Sequence, residues 1–236
     1  MLDDVGTFIR VLVQGLPETV TATIGGITLT ILLAFAAGLG LLSSSRAVRV
    51  ATRVYVEGFR GTSEVVQLFW IFFALPVLVG LQIVPIWAGI LVIGLNHGAY
   101  GAEIVRGAVQ SVPRAQIEGA VALSLSPMQR MRRVVLPQAV VEMIPPFNTL
   151  FIQLLKSTAL LSFVSIDEIT TLARERLIPN FNSQLLSVWL TVLVMYLLLA
   201  LVITAVMRTL ERVAAVRIGR TPSARARRQA ATASGL

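Results

Sequence analysis

The chain has 236 residues, of which 56% are hydrophobic and 14% are charged, and its mean hydropathy is +0.81. A soluble domain carries roughly 25% charged residues, so this composition indicates a membrane protein. The absence of Cys and the single His, His97, exclude a disulfide framework, a thiolate metal site and a multi-His metal centre. The net charge of +8 comes from arginines beside apolar runs, which favours orientation in a membrane over nucleic-acid binding.

The N-terminal stretch, residues 2–16, is amphipathic and too short to cross a bilayer, so it predicts a surface helix. Asp3 and Asp4 precede the first apolar run in place of a cationic region, so we expect no signal peptide. Pro17 opens the next segment, and Glu18–Leu42 supplies the length of the first span. Its many Thr, Gly and Ala residues predict close helix packing.

The polar connection Ser43–Arg60 follows, and four more apolar runs predict four more spans. A mixed polar loop at 162–184, with a short helix at 165–176, separates the last two of them. The predicted further spans are residues 61–80, 86–108, 137–161 and 185–207. The domain organisation is therefore an N-terminal segment at 1–17, a transmembrane domain at 18–210 with a hairpin at 112–137, and a basic tail at 211–236. We expect the tail to be disordered beyond Gly219.

Five spans place the two ends of an all-α membrane protein on opposite faces. All arginines except Arg10, Arg174 and Arg176 then fall on the face that carries the hairpin and the tail. The positive-inside rule predicts that this face is cytoplasmic and that the N-terminus lies outside, in a multi-pass protein of the cytoplasmic membrane.

The polar segment 112–137 lies between two predicted spans and contains two helix signals. Pro113 suits the first position of a helix that continues to Leu123. After a break, Ser126-Pro127-Met128-Gln129 is a capping-box pattern that starts a second helix. The segment therefore predicts a helix–turn–helix hairpin. An interfacial loop that binds anionic membrane lipid through its arginines is the alternative on composition alone.

Polar residues within the spans predict a translocation path, because such residues usually face a cavity or a partner. Asn96, Tyr100 and Glu103 share one helical face in the third span, and Pro145-Pro146 predicts a break in the fourth. The proposed path residues are Gln67, Asn96, Tyr100, Glu103, Gln153, Lys156 and Ser157.

Structural alternatives exist for several of these residues. Glu103 can pair with Arg106 on its own helix, Lys156 can extend to the outer interface, and His97 fits a packing role. Gly94, Gly98 and Gly101 form a stripe for close helix packing.

The hairpin resembles the "EAA" loop of ABC-importer permeases. Glu118-Gly119-Ala120, Ser124, Val134 and Leu136-Pro137 match its register, with Gly119, Ser124 and Val134 in place of the usual Ala, Gly and Ile. In that family the loop binds a groove on the ATPase subunit. The resemblance implies that the ATPase-coupling residues are Glu118, Gly119, Ala120, Leu123, Ser124, Leu125, Ser126 and Pro127.

Three further segments resemble the polar amino-acid branch of the same permeases. They are Phe59-Arg60-Gly61-Thr62 with Val66–Phe69, Ala99–Gly107, and Leu136–Ala139 with Leu154–Leu160, so the resemblance covers about residues 16–210. Ser63-Glu64 departs from the Pro-Leu usual in that branch, and this places an extra carboxylate near the predicted cytoplasmic mouth.

The resemblance implies a type I ABC-importer permease fold and a chain that is not an enzyme. The chain has no P-loop. No cofactor is expected on it, and ATP and Mg belong to two partner ATPase subunits. The other implied partners are a second permease, identical or homologous, and an extracytoplasmic substrate-binding protein. The implied cargo is a polar amino acid, with an ectoine-type zwitterion as second choice. A secondary carrier or channel subunit that needs no ATPase is the alternative.

Overall fold

The computed structural model describes residues 2–80 and 82–217, and every regular element within those ranges is helical. Four helices are long and apolar enough to cross a membrane, and a fifth span results if two helices joined at a 104° bend count as one. This confirms the all-α prediction and agrees with five spans on the second count. The spanning segments are Asp4–Leu41, Pro85–Gln110, Pro127–Val164 and Asn182–Val216, with the bent pair Arg46–Arg60 and Glu64–Val79.

Short 3-10 and π-helical turns connect several of the α-helices, so that the longest segments are nearly continuous. The helices are α1 (Leu2–Leu12), α2 (Leu16–Leu41), α3 (Arg46–Arg60), α4 (Glu64–Phe69), α5 (Leu75–Val79), α6 (Pro85–Gln110), α7 (Arg114–Ala122), α8 (Pro127–Arg130), α9 (Leu136–Ser157), α10 (Ile169–Leu172) and α11 (Leu185–Arg217).

Among the described residues, α2 and α6 form the most extensive helix pair, and glycines make their close approach possible. A Cβ atom on Gly38 would lie 2.6 Å from Val105 Cβ and 2.8 Å from the carbonyl oxygen of Ala102. A Cβ on Gly94 would lie 2.5 Å from a side-chain carbon of Leu29. The predicted role of the glycine stripe in close packing is therefore confirmed.

Helix α9 completes the core against α2 and α6. Met143 and Phe147 are buried in a cluster that includes Ala34 and Val105. The prediction that Pro145-Pro146 breaks the fourth span is wrong, because α9 is helical on both sides of the pair and through it. Packed neighbouring helices allow membrane helices to tolerate Pro, and here the residues on either side are anchored in the core.

The largest departure from the sequence interpretation concerns residues 46–60. The sequence interpretation has them only as part of a polar connection, whereas in the structure they form α3, which packs against α2 and α6. Val56 is buried beside Ala37 and Ala102, and the Tyr55 hydroxyl donates to the carbonyl oxygen of Leu95, 2.8 Å away. If the bent pair counts as one span, the second span consists of α3 with α4 and α5 and includes the predicted residues 61–80.

Helix α1 packs against the segment that joins α9 to α11, at the end of the bundle away from the hairpin of α7 and α8. Phe8 and Leu12 are fully buried with Ile169 and Leu172 of α10. The short helix predicted in 165–176 is present, and it begins after Glu168. Helix α11 continues to Arg217, beyond the predicted domain boundary at 210. The predicted disorder of the tail beyond Gly219 lies outside the described residues.

Candidate functional site

The break between α3 and α4 is the centre of a polar cluster inside the bundle. Residues 61–63 interrupt the helix, and the carbonyl groups at the end of α3 lose their helical partners. Gln67 Nε2 donates to the carbonyl oxygen of Phe59 at 2.9 Å and to Thr62 Oγ1 at 2.7 Å. Asn96 Nδ2 donates to the same Phe59 oxygen at 3.0 Å. Gln67 and Asn96 are both buried, so their first task is to hold the break in place.

Charged side chains lie next to this break on a more open side. The Arg60 guanidinium lies 5.1 Å from the ring centroid of Tyr100 and 3.9 Å from Glu103 Oε1. Arg106 pairs with Glu103 at 2.6 Å and also donates to Gln110. The predicted intrahelical pair of Glu103 and Arg106 is therefore confirmed. Arg60, which the sequence interpretation assigns to the cytoplasmic face, lies beside these polar residues of α6.

Ser157 reaches the same region from α9. Its hydroxyl donates to Glu64 Oε2 at 2.8 Å, and Glu64 Oε1 lies 3.5 Å from His97 Nδ1 near the centre of α6. The sequence interpretation predicts Glu64 near the cytoplasmic mouth. In the structure Glu64 lies in the interior of the bundle, between α6 and α9.

The two remaining predicted path residues on α9 differ in their surroundings. Gln153 is exposed and lies one helical turn from Ser157, so both residues lie on the same face of α9. Lys156 lines a groove of about 430 Å³ between α9 and α11, together with Leu193 and Tyr196. The structure therefore brings five of the predicted path residues to the break, places Gln153 on the adjoining face, and places Lys156 at a separate groove. The five are Gln67, Asn96, Tyr100, Glu103 and Ser157.

The second candidate site is the hairpin of α7 and α8. The Leu125 N–H donates to the Ala120 carbonyl at 3.1 Å, and the Ser124 N–H donates to the Val121 carbonyl at 2.8 Å. These two bonds form a Schellman motif, and Ser124 adopts φ 55°, the left-handed conformation that favours glycine. Ser126 and Gln129 form the predicted capping box, with both reciprocal bonds present. The predicted helix–turn–helix hairpin is confirmed.

The outer surface of the hairpin has features that its own packing does not explain. Glu118 and Gly119 are exposed, and a Cβ on Gly119 would meet nothing within 4 Å. Leu123 and Met128 are 76% and 67% exposed at the hairpin tip. Of the predicted coupling residues, Ala120 is buried and, with Leu125, lines a small groove between the hairpin helices, while Ser126 and Pro127 start α8.

Arg60 and Glu64 are the site residues that the sequence interpretation left out of the path. A signal for α3 was available, because Arg46, Arg49, Arg53, Glu57 and Arg60 recur every three or four positions. That spacing predicts an amphipathic helix that ends at Arg60, only four residues before Glu64.

Spanning helices around a polar helix break, with an exposed helical hairpin between two spans, define the membrane subunit of a transport system. The family described as "Binding-protein-dependent transport system inner membrane component" matches residues 12–215 of the chain. The chain belongs to this family and is an inner-membrane protein. This confirms the predicted permease of a binding-protein-dependent importer and disfavours the alternative of a secondary carrier.

Individual relatives agree with the family. The chain is 46% identical over 182 residues to the probable amino-acid ABC transporter permease protein y4tF of Sinorhizobium fredii, covering 75% of this chain and 76% of the relative. It is 35% identical over 205 residues to the glutamine transport system permease protein GlnP of Escherichia coli, covering 86% and 93%. The crystal structure of an amino acid ABC transporter with histidines superposes with a TM-score of 0.78 at 27% identity, covering 87% and 95%.

Proposed function

We propose that this chain is the permease subunit of an ABC importer that carries a polar amino acid into the cytoplasm, driven by ATP hydrolysis on partner subunits. The observation that carries the proposal is the hairpin, whose exposed Glu118, Gly119 and Leu123 form a surface without an internal packing role. Exposed apolar side chains that cluster on a polar segment are typical of a protein contact surface.

The hairpin is the proposed contact with the ATPase subunits. Its Schellman turn and capping box fix the angle between α7 and α8 with backbone hydrogen bonds, so the hairpin can move as one body. Since α8 continues through a π-helical turn into α9, movement of the hairpin is transmitted directly to the helix that carries Ser157. ATP and Mg are bound by those partners in this proposal, and no cofactor is bound by this chain.

The side of the break that carries Arg60, Tyr100 and Glu103 is the proposed cargo path, together with Gln153. Gln67 and Asn96 support it by holding the end of α3. Lys156 lies in an otherwise mostly apolar groove facing α11, so we propose for it a role at the membrane interface rather than in the path.

The remaining partners are a second permease copy or homologue, which closes the path, and an extracytoplasmic protein that delivers cargo. In this proposal the N-terminus lies outside and the hairpin lies in the cytoplasm, as the arginine distribution favours. Names of relatives support an amino-acid cargo, since they include permeases for amino acids, glutamine and L-cystine. An ectoine-type zwitterion is the second candidate.

The test is transport by the reconstituted complex. The permease is expressed with the ATPase and binding protein of its host, purified, and placed in liposomes. Uptake of each of the twenty amino acids and of ectoine is measured with ATP and with a non-hydrolysable analogue. We expect ATP-dependent uptake of one or a few polar amino acids. Uptake that is driven by an ion gradient and is indifferent to ATP would overturn the proposal.

A further inference from the structure

The carboxylate of Glu64 has an unusual environment for an acidic group inside a membrane protein. Its side chain is only 17% exposed, and it lies between His97 of α6 and Ser157 of α9. Ser157 donates to Oε2, whereas Oε1 is buried and has no hydrogen-bond partner. Buried polar atoms without a partner are rare in native proteins, and each calls for an explanation.

The neighbouring histidine does not supply the missing hydrogen bond. His97 Nδ1 lies 3.1 Å from the carbonyl oxygen of Ile93 and 3.5 Å from Glu64 Oε1. A carbonyl oxygen can only accept, and Nδ1 carries at most one proton. In the tautomer with a proton on Nδ1, the shorter contact takes that proton. In the other tautomer Nδ1 has no proton to donate, so Glu64 Oε1 receives none from this nitrogen in either case.

No Arg or Lys cation among the described residues balances this carboxylate either. Among residues 2–80 and 82–217, no Arg or Lys nitrogen lies within 4.0 Å of Glu64. Arg60, only four residues earlier, is directed toward Tyr100 and Glu103 instead. A charge inside a membrane protein costs several kcal/mol, and such a group usually serves a pathway or a ligand.

We infer that Glu64 binds the protonated amino group of the cargo and so determines which molecules the permease accepts. This inference rests on the proposed function and deepens it. An ammonium group brings three donors and a positive charge, which satisfy the unpartnered carboxylate. Because the Ser157 hydroxyl uses its proton toward Glu64, its lone pairs remain free to accept from the same ammonium.

The other half of a zwitterion fits Arg60. Glu64 contacts His97 and Arg60 contacts Tyr100, and these two α6 residues are three positions apart. That spacing corresponds to a rise of roughly 4.5 Å along a helix, so Glu64 and Arg60 lie beside neighbouring turns of α6. Glu103 is already held by Arg106 at 2.6 Å, so Arg60, with its longer 3.9 Å pair, is the more available cation for a carboxylate.

A site built on Glu64 excludes some cargos. A quaternary ammonium compound has a positive charge but no N–H to donate, so it cannot hydrogen bond to Glu64 and Ser157. A molecule without any cationic nitrogen leaves Glu64 uncompensated. The expected ligand is therefore a primary or secondary ammonium that also carries a carboxylate.

The test measures binding to the purified permease–ATPase complex without the external binding protein, so that delivery does not contribute. Equilibrium dialysis with radiolabelled L-glutamine compares wild type with Glu64→Gln and Glu64→Asp. If another amino acid proves to be the cargo in the transport panel, that amino acid replaces L-glutamine. Glu57→Gln is the matched control, since Glu57 is a 72% exposed carboxylate on α3. Thermal unfolding and co-purification with the ATPase establish that each variant is assembled.

We expect Glu64→Gln to weaken binding roughly thirtyfold or more, Glu64→Asp to weaken it less, and Glu57→Gln to leave it unchanged. For L-glutamine, 4-carbamoylbutanoate, which lacks the ammonium group, should not compete in wild type. If the assembled Glu64→Gln variant binds the amino acid with wild-type affinity, the assignment is overturned. The same holds if the affinity is unchanged and only the pH dependence of uptake differs from wild type. A wild-type complex that binds no amino acid would instead overturn the proposed cargo, and the Glu64 assignment with it.

Discussion

Asn96 on α6 and Phe59 on α3 are joined across the bundle by a hydrogen bond of 3.0 Å from Asn96 Nδ2 to the Phe59 carbonyl oxygen. The same amide nitrogen lies 3.2 Å from Gln67 Oε1, and Gln67 Nε2 donates to the same Phe59 oxygen. The broken end of α3 is thus held by two side chains from two other helices. The bend between α3 and α4 is therefore maintained by Gln67 and Asn96, which the sequence interpretation assigns to the translocation path.

Asn96→Leu should destabilise the permease by about 1–3 kcal/mol, because the Phe59 carbonyl loses one donor and Gln67 Oε1 loses its partner. The measurement is the thermal unfolding midpoint of the purified complex. Asn182→Leu, at an exposed position, is the control and should shift the midpoint little. An equal shift in both variants would mean that the bend does not depend on Asn96.

Gly38→Ala should destabilise the bundle by about 1–3 kcal/mol through overpacking. The new methyl group would lie 2.8 Å from the backbone oxygen of Ala102, which cannot move away as a flexible side chain can. Gly107→Ala is the matched control, because its Cβ would meet nothing within 4 Å, and it should be neutral or slightly stabilising. The unfolding midpoints of the two variants in the same detergent test this difference.

Elements with a local signal could be predicted from the sequence, whereas the bend could not. The Gly94–Gly101 stripe and the Ser126 capping box depend on spacing within one segment, and both are present in the structure. The polar composition of residues 46–60 indicates a connecting segment, whereas the three- and four-residue spacing of their charged side chains predicts the helix α3 that the structure contains. The position of Glu64 in the interior of the bundle depends on its contacts with Ser157 and His97, and both residues are far from Glu64 in sequence. Pro145-Pro146 stays helical because tertiary packing overrides its local tendency.

Ser124→Gly should stabilise the hairpin by about 1 kcal/mol, since Ser124 occupies the left-handed conformation at φ 55°. Hydrogen exchange of residues 114–130 should slow several-fold. Ser165 at φ 57° offers a matched control at the other end of the bundle. Ser165→Gly should slow exchange at its own turn only, and unchanged exchange in the Ser124 variant would contradict the conformational argument.

Glu168 gives the expected pH dependence at the α10 end. Its carboxylate is 1% exposed and accepts from the Thr170 and Thr171 amides at 2.8 and 2.6 Å and from the Tyr196 hydroxyl at 2.9 Å. Burial raises the pKa of Glu168, and the hydrogen bonds limit this rise. The folded state therefore retains the proton at pH values where the unfolded state has lost it.

The stabilising contribution of Glu168 is fully present below the unfolded pKa of roughly 4.3. It is lost as pH rises through the higher folded pKa. The unfolding midpoint should therefore fall across that interval, and Glu168→Gln should flatten the fall. Glu175→Gln, an exposed neighbour at 54%, should retain the wild-type slope. If the unfolding midpoint instead rises with pH in wild type and not in Glu168→Gln, the pKa of Glu168 is lowered on folding rather than raised, and this account is contradicted.

Glu118→Lys should reduce ATP-dependent uptake to roughly a tenth of wild type or less while the spans remain folded. Glu118 is exposed on α7, and a Cβ atom on the next residue, Gly119, would meet nothing within 4 Å. Replacing Glu118 therefore removes few contacts within this chain. At an interface, reversing a charge adds like-charge repulsion and unpaired groups that cost several kcal/mol. Glu57→Lys makes the same charge change on exposed α3 and should leave coupling intact.

The informative measurements are uptake into proteoliposomes, ATPase activity and the unfolding midpoint, taken on the same preparations. An unchanged midpoint with uptake lost and ATP hydrolysis no longer stimulated by cargo would place the defect at the ATPase contact. Because α8 leads into α9 without interruption, the hairpin is the shortest mechanical route from that contact to Ser157 and Glu64. Full uptake in Glu118→Lys would mean that the motor contacts another surface of this subunit.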